Sequence, residues 1–141
     1  MTARTFGGTV DVAAPREVVF DYLVDPHHRA EWQSSLRRVD DVDGEPRVGQ
    51  TWTDVTVPGL RPAMRTTELV RPKRWSESGT WRFVRADLTL ELTAPTPQTC
   101  VVAYRFRIHA LGPLGLAATL ASVPAVGADL RRAADILSRR S

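Results

Sequence analysis

LGLAATLASVPAVGADLRRAADILSRR, residues 114–140, is the stretch on which the fold turns. Its apolar positions recur at Leu116, Leu120, Val123, Gly127, Leu130, Ala134 and Leu137, steps of three and four that draw one stripe along a helix. The spacing predicts a single long helix, bent near Pro124. Such a stripe needs a cover, and no other part of the chain reads as a helix of comparable length. What precedes it reads as strand after strand, so the expected cover is a curved sheet. A helix of about 25 residues runs roughly 37 Å, longer than a small sheet is wide, so part of it is expected to overhang or to close a cavity.

Working back from the helix, Val102, Tyr104, Phe106 and Ile108 alternate with Arg105 and Arg107, and Leu88, Leu90 and Leu92 alternate with Asp87, Thr89 and Glu91. Two neighbouring strands with one wet face fit an antiparallel sheet. Residues 94–97 read as the turn between them. Earlier strands are expected at 36–42, 49–57, 64–70 and 75–83, the last with an interruption at Gly79. They are separated by Asp43-Gly44, Pro58-Gly59 and Arg71-Pro72-Lys73-Arg74. The inward face of 49–57 and 64–70 stays open at this level, because both faces carry mixed residues. At the front, residues 6–12 form a strand with Val10 and Val12 on one face. Ala13-Ala14-Pro15 then switches the period into a short helix carrying Val18, Val19, Tyr22 and Leu23, which ends at Asp25-Pro26. Asp25 can cap, and Pro26 can open, a second short helix over 26–34 that presents Ala30 and Trp32 as its apolar contacts.

A chain of 141 residues suits one domain, 1–141, and 43% hydrophobic with 25% charged residues leaves no stretch biased enough to stay unfolded. The net charge of +3 rests on arginine, with Lys73 the single lysine. The charges are scattered apart from small knots at Arg71, Lys73 and Arg74 and at Arg139 and Arg140, which argues against a nucleic-acid surface. The second knot is explained by the helix macrodipole. Cys100 stands alone, so no internal disulfide is expected, and residues 1–8 carry no apolar run of the signal-peptide kind. A cytoplasmic location is the expectation. Residues 110–128 carry no charged side chain, but glycines and prolines interrupt them, which argues against a membrane span. That half of the helix is expected to be covered by protein, by a ligand, or transiently by a membrane surface or a second copy in a homodimer.

The run Val10-Asp11-Val12-Ala13-Ala14-Pro15-Arg16-Glu17-Val18-Val19-Phe20-Asp21-Tyr22-Leu23-Val24-Asp25-Pro26, followed by Trp32, resembles the opening of the START-like (SRPBCC) superfamily, in particular its polyketide cyclase/dehydrase and lipid-transport branch. Val48-Gly49, Thr99 and the long terminal helix extend the resemblance over essentially the whole chain. The resemblance implies an α+β helix-grip fold: a curved antiparallel sheet of about seven strands wrapped around the C-terminal helix, with two short helices after the first strand and an apolar cavity between sheet and helix. Members bind lipids, sterols, polyketides, plant hormones or quinones, and some are cyclases or aromatases. No catalytic residue is common to them, so none carries over.

The residues themselves remove several chemistries. His27 and His28 are adjacent at a helix start and His109 lies far along the chain, a spacing unlike any zinc site. Cys100 reads as a small passive side chain. No phosphate loop, nucleophile elbow or dinucleotide fingerprint occurs, so neither a metal nor a cofactor is expected. What remains is a large aromatic share on the strands, which suits either a filled core or a flat apolar ligand. The expected cavity lining is Trp52, Met64, Trp81, Leu90, Tyr104, Phe106, Leu120 and Val123, and the expected partner is a small hydrophobic molecule. An enzyme of polyketide cyclase or dehydratase type is the alternative, with Asp54 or Tyr104 moving protons. A protein or membrane interaction module built on 110–128 is the second. Asp54, Glu68 and Glu77 are the carboxylates that can reach a cavity, though an exposed position is the expectation for each.

Overall fold

In the computed structural model residues 2–110 and 112–140 are described, with side chains over 6–109 and 125–140. The elements are β1 (Thr2–Val12), α1 (Arg16–Val24), a 3-10 turn (Pro26–His28), α2 (Arg29–Trp32), β2 (Leu36–Asp40), β3 (Thr51–Thr56), β4 (Ala63–Val70), β5 (Arg74–Trp81), β6 (Val84–Thr96), β7 (Thr99–Ala110) and α3 (Gly112–Arg140). The seven strands make one antiparallel sheet in the order β1-β7-β6-β5-β4-β3-β2. The first two strands in sequence therefore lie at opposite edges. α1 and α2 bridge that distance, and α3 lies against the sheet, which is the helix-grip arrangement.

Local chemistry fixes the bridge. Pro15 leads into α1, where its carbonyl accepts the Val19 N–H at 3.0 Å, and Glu17 sits in the first turn. Asp25 then stops one helix and caps the next element, its Oδ1 accepting the His27 N–H at 3.0 Å. A 3-10 turn comes first, so the following α2 is only four residues long instead of continuing to 34. This changes which side chains face inward. Arg29 and Trp32, three apart, are both 2% exposed, whereas Ala30 faces solvent. Residues two apart on a helix point to opposite sides, so the expected Ala30–Trp32 face does not form.

The core joins Val10 and Val12 of β1, Cys100 and Val102 of β7, Leu90 and Leu92 of β6 and Trp75 of β5 to Val19, Phe20 and Leu23 of α1 and to Leu130, Ala133, Ala134 and Leu137 of α3. The helical stripe is thus realised over its described half. β5 runs through Gly79 without interruption, and β6 continues to Thr96, so the hairpin to β7 turns at Pro97 and Gln98. A smaller cluster forms around Phe106 and Ile108, with Val84, Ala86, Leu88 and Val126 against it. Under residues 130–137 the helix and sheet are in full contact. Beside Ala125, Val126 and Asp129 a gap remains between helix and sheet, and it is the candidate site.

Candidate functional site

Strand register decides which side chains look into that gap. Met64 of β4 is paired with Gly79 of β5, Gly79 with Ala86 of β6, and Ala86 with Ile108 of β7; Glu77 lies between Thr66 and Leu88, and Leu88 is paired with Phe106. Because side chains alternate across a strand, Trp75, Glu77, Gly79 and Trp81 all share the inner face. The cavity they open has a volume of about 430 Å³. Its apolar wall is made by Leu60, Met64, Trp81, Val84, Phe106 and Val126, and its polar end by Arg29, Asp54, Glu77 and Asp129. A smaller lobe of about 120 Å³ shares Met64, Glu77, Phe106, Val126 and Asp129 and adds Trp32.

Gly79 is what leaves the room. A Cβ at this position would lie 2.6 Å from Met64 Sδ and 2.9 Å from its Cε. The bare backbone lets the thioether lie across β5, and any side chain there would enter the cavity itself and force the thioether to move.

The polar end is a buried charge cluster. Arg29 Nε and Nη2 donate to the two oxygens of Asp54 at 3.1 and 2.8 Å, and Nη1 donates to Glu77 Oε2 at 2.8 Å. All three side chains are under 10% exposed. Trp52 Nε1 donates to Asp54 Oδ1 at 3.0 Å, and the Arg29 guanidinium stands 5.0 Å over the Trp52 ring. One cation faces two carboxylates, so the cluster carries one negative charge if all three ionise. The Glu77 carboxyl is raised to about 7: burial is the largest cause, Arg29 opposes it, and the neighbouring Asp54 charge adds to it. Burial by itself would lower Arg29, but the attraction of Glu77 and Asp54 outweighs it and holds the guanidinium charged. A carboxyl poised near neutrality at a cavity wall can give or take a proton. Asp129, across the gap on α3, is raised by burial, while its bonds from the Ser34 N–H at 3.2 Å and hydroxyl at 3.1 Å act in the opposite sense.

Several sequence expectations are corrected here. Asp54 and Glu77 are buried at 4% and 6% exposure, because each pairs with Arg29 instead of water. Glu68 is the carboxylate that does sit outside, bonded to Arg74 and Ser76. Of the eight expected lining residues, Met64, Trp81 and Phe106 are on the cavity wall. Leu90 is fully buried in the packed core, paired across strands with Trp75, and does not line the cavity. Trp52 stands behind the wall, covered by Arg29. Tyr104 is seated between β1 and α3: Cβ atoms at Gly8 and Gly127 would each fall 2.7 Å from its hydroxyl oxygen. Two glycines make that berth, and it takes the phenol away from the cavity and from any proton-moving role there. Leu120 and Val123 lie outside the described side chains, as does most of the uncharged stretch 110–128.

Arg29 went unforeseen. The signal for Glu77 is present in the alternation of β5, where it falls on the face of Trp75 and Trp81. That for Arg29 appears only once two inward carboxylates require a cation. A larger concavity of about 560 Å³ lies over Thr51, Ala63, Arg65, Thr67, Thr80 and Arg85, the solvent side of β3 to β6. Apart from the buried Trp52, Met64 and Thr66, its lining residues are exposed or half-buried, so it is an open trough on the wet face of the sheet. Among the described residues no three metal-ligating side chains come together, and no helix is long and apolar enough to cross a membrane.

The sequence profile of the family described as polyketide cyclase / dehydrase and lipid transport matches residues 3–141. The chain belongs to that family. No curated protein matches it at a significant level. Among solved structures, a Mesorhizobium loti protein shares 20% identity with a TM-score of 0.78, covering 98% of this chain and 99% of its own. Norcoclaurine synthase from Thalictrum flavum, solved as a point mutant with a transition-state analogue, shares 12% identity with a TM-score of 0.73, over 99% of this chain and 96% of its own. A second structure of that enzyme holds dopamine and hydroxybenzaldehyde, at 11% identity and a TM-score of 0.73, over 99% and 89%. At these identities the likeness carries the fold. The polyketide cyclase / dehydrase and lipid transport family and the helix-grip architecture fit ligand binding between sheet and helix.

Proposed function

We propose that the protein binds a small, largely apolar molecule in the cavity between β4–β7 and α3. The observation that carries the reading is the cavity itself. Its volume of about 430 Å³ falls in the range of small-molecule sites, and its wall is mostly apolar with a few convergent polar groups at one end. A core evolved only for stability would close such a gap, since interiors pack to crystal-like density. Met64, Trp81 and Phe106 supply contact area, and Glu77 with Asp129 orients the polar end.

The neutral fluorophore N-phenyl-1-naphthylamine tests it. Its emission is expected to rise on binding the wild-type protein with a 1:1 stoichiometry. Gly79→Leu, which puts a side chain into the cavity and displaces Met64, is expected to weaken that binding at least about tenfold while leaving the circular dichroism spectrum unchanged. Undiminished binding by this variant would place the fluorophore elsewhere and remove the reading.

A second reading, proton-transfer catalysis of cyclase or dehydratase type, is favoured by one observation: the buried Glu77 carboxyl with its pKa near 7. Turnover of a bound molecule would then follow the ionisation of Glu77 and disappear in Glu77→Gln with binding retained. Retained turnover in that variant excludes Glu77 as the acid or base. The protein is proposed to act in the cytoplasm. Any contact of residues 110–128 with a membrane surface or a second copy would appear in vesicle co-sedimentation or in sedimentation equilibrium.

A further inference from the structure

Charge at the polar end of the cavity limits what kind of molecule it can hold. Its charged lining is Arg29, Asp54, Glu77 and Asp129, with Asp87 joining in the smaller lobe. In sequence, residues 112–128 of α3 include no charged residue. Arg29 is the sole cation of that lining and is committed: Nε, Nη1 and Nη2 all donate to Asp54 or Glu77, and the side chain is 2% exposed. Three of its five N–H groups are spent there and its charge is already matched by two carboxylates, so an arriving anion meets no net positive charge. It finds instead Glu77 and Asp129, two acids lining both lobes, with Asp54 already matched by the two-pronged bond from Arg29. A second observation concerns the opposite hydrogen-bonding need. Trp32 is 2% exposed and lines the smaller lobe, and its Nε1–H is buried without a partner among the described residues. A buried indole N–H ordinarily finds an acceptor. The pair of needs, an acceptor for Trp32 and a donor for the carboxylates, is met by a hydroxyl group, which does both.

Building on the proposed binding site, we infer that its ligand is an apolar molecule with a hydroxyl head, an alcohol or phenol, and that the cluster of Glu77 and Asp129 beside Trp32 excludes the corresponding carboxylic acid. The hydroxyl accepts from Trp32 Nε1 and donates to a carboxylate oxygen. A carboxylate in the same place would be held against two like charges in a partly enclosed cavity, whose one cation is already matched by two carboxylates. The same lining that serves an alcohol thus works as a filter against acids.

Three matched probes read this out by displacement of N-phenyl-1-naphthylamine at pH 7.5: 2-naphthylmethanol, 2-methylnaphthalene and 2-naphthoate. The alcohol is expected to bind best, the hydrocarbon several-fold more weakly, and the acid at least about tenfold more weakly than the alcohol. In Asp129→Asn and in Glu77→Gln the acid is expected to gain affinity, an outcome that misfolding cannot imitate. The conservative change at Asp129 keeps an oxygen for Ser34, so one of the two variants avoids the buried cluster. An acid that binds the wild-type protein as well as the alcohol overturns the inference and leaves the cavity reading intact. A hydrocarbon equal to the alcohol overturns the role of the hydroxyl. Failure of all three probes and of the fluorophore removes the cavity reading, and the inference with it.

Discussion

Arg29→Met lowers the free energy of unfolding by about 3–5 kcal/mol, the cost of leaving buried carboxylates without their cation. Asp54 and Glu77 are both under 10% exposed and take three hydrogen bonds from this one guanidinium. Methionine fills much of the arginine's volume, so the loss measures charge and hydrogen bonding more than a cavity. One of the two acids is then forced to stay protonated, and Asp54 keeps only the Trp52 indole as a donor from this cluster. Urea denaturation at pH 7 checks the result through the midpoint and slope. Adding Asp54→Asn and Glu77→Gln to the same protein is expected to restore most of the loss, because a neutral set has no uncompensated charge to bury. A single variant losing under about 1 kcal/mol would mean that water reaches the cluster freely, contrary to its burial.

The pH dependence of stability carries the second large effect. Glu77 has an ordinary value of 4.5 in the unfolded chain and about 7 in the folded one. The folded state therefore binds the proton more tightly, so this contribution is complete below pH 4.5 and is lost as pH rises towards 7. Over that window the free energy of unfolding is expected to fall by roughly 3 kcal/mol, from 1.36 kcal/mol per unit of difference. The groups facing Glu77 are Arg29 of α2, Asp54 of β3, Thr66 of β4 and, across the cavity, Asp129 of α3. Asp129 is also raised, from 3.8, and acts in the same sense starting at lower pH. Asp21 and Glu68, lowered by Arg71 and Arg74 respectively, act in the opposite sense at the acid end, where their exposed pairs with arginine are lost. Glu77→Gln is expected to flatten the profile between pH 4.5 and 7. Denaturation midpoints across that range check both. A wild-type profile that rises with pH through this window would show Glu77 ionised and salt-bridged throughout.

Much of this architecture is legible in the residues because burial and periodicity coincide. Leu88, Leu90 and Leu92 against charged neighbours, and the stripe through Leu130, Ala134 and Leu137, are spaced as a one-sided sheet and the helix lying on it require. Within the site the same rule works where it is applied to polar residues. Glu77 stands two residues from Trp75 and four from Trp81, so a strand with those tryptophans inward must carry the acid inward too. The expectation that carboxylates face water overrides that pattern at Asp54 and Glu77, and it fails because it treats each acid alone. Arg29 is the missing partner, 25 and 48 residues away in sequence, and a 3-10 turn too short to foresee rotates it inward. Tyr104 illustrates the converse. Its strand face is read correctly, but glycines on two other elements decide where its hydroxyl goes. Long-range pairs of this kind leave no local trace.

Native mass spectrometry of the protein purified from its own host, with Gly79→Leu purified in parallel, tests the central claim most directly. The account predicts a co-purifying apolar molecule at one per chain in the wild-type protein, carrying a hydroxyl group, and its loss from the variant. A bound molecule retained equally by both proteins would contradict the assignment of the cavity between sheet and helix as the binding site.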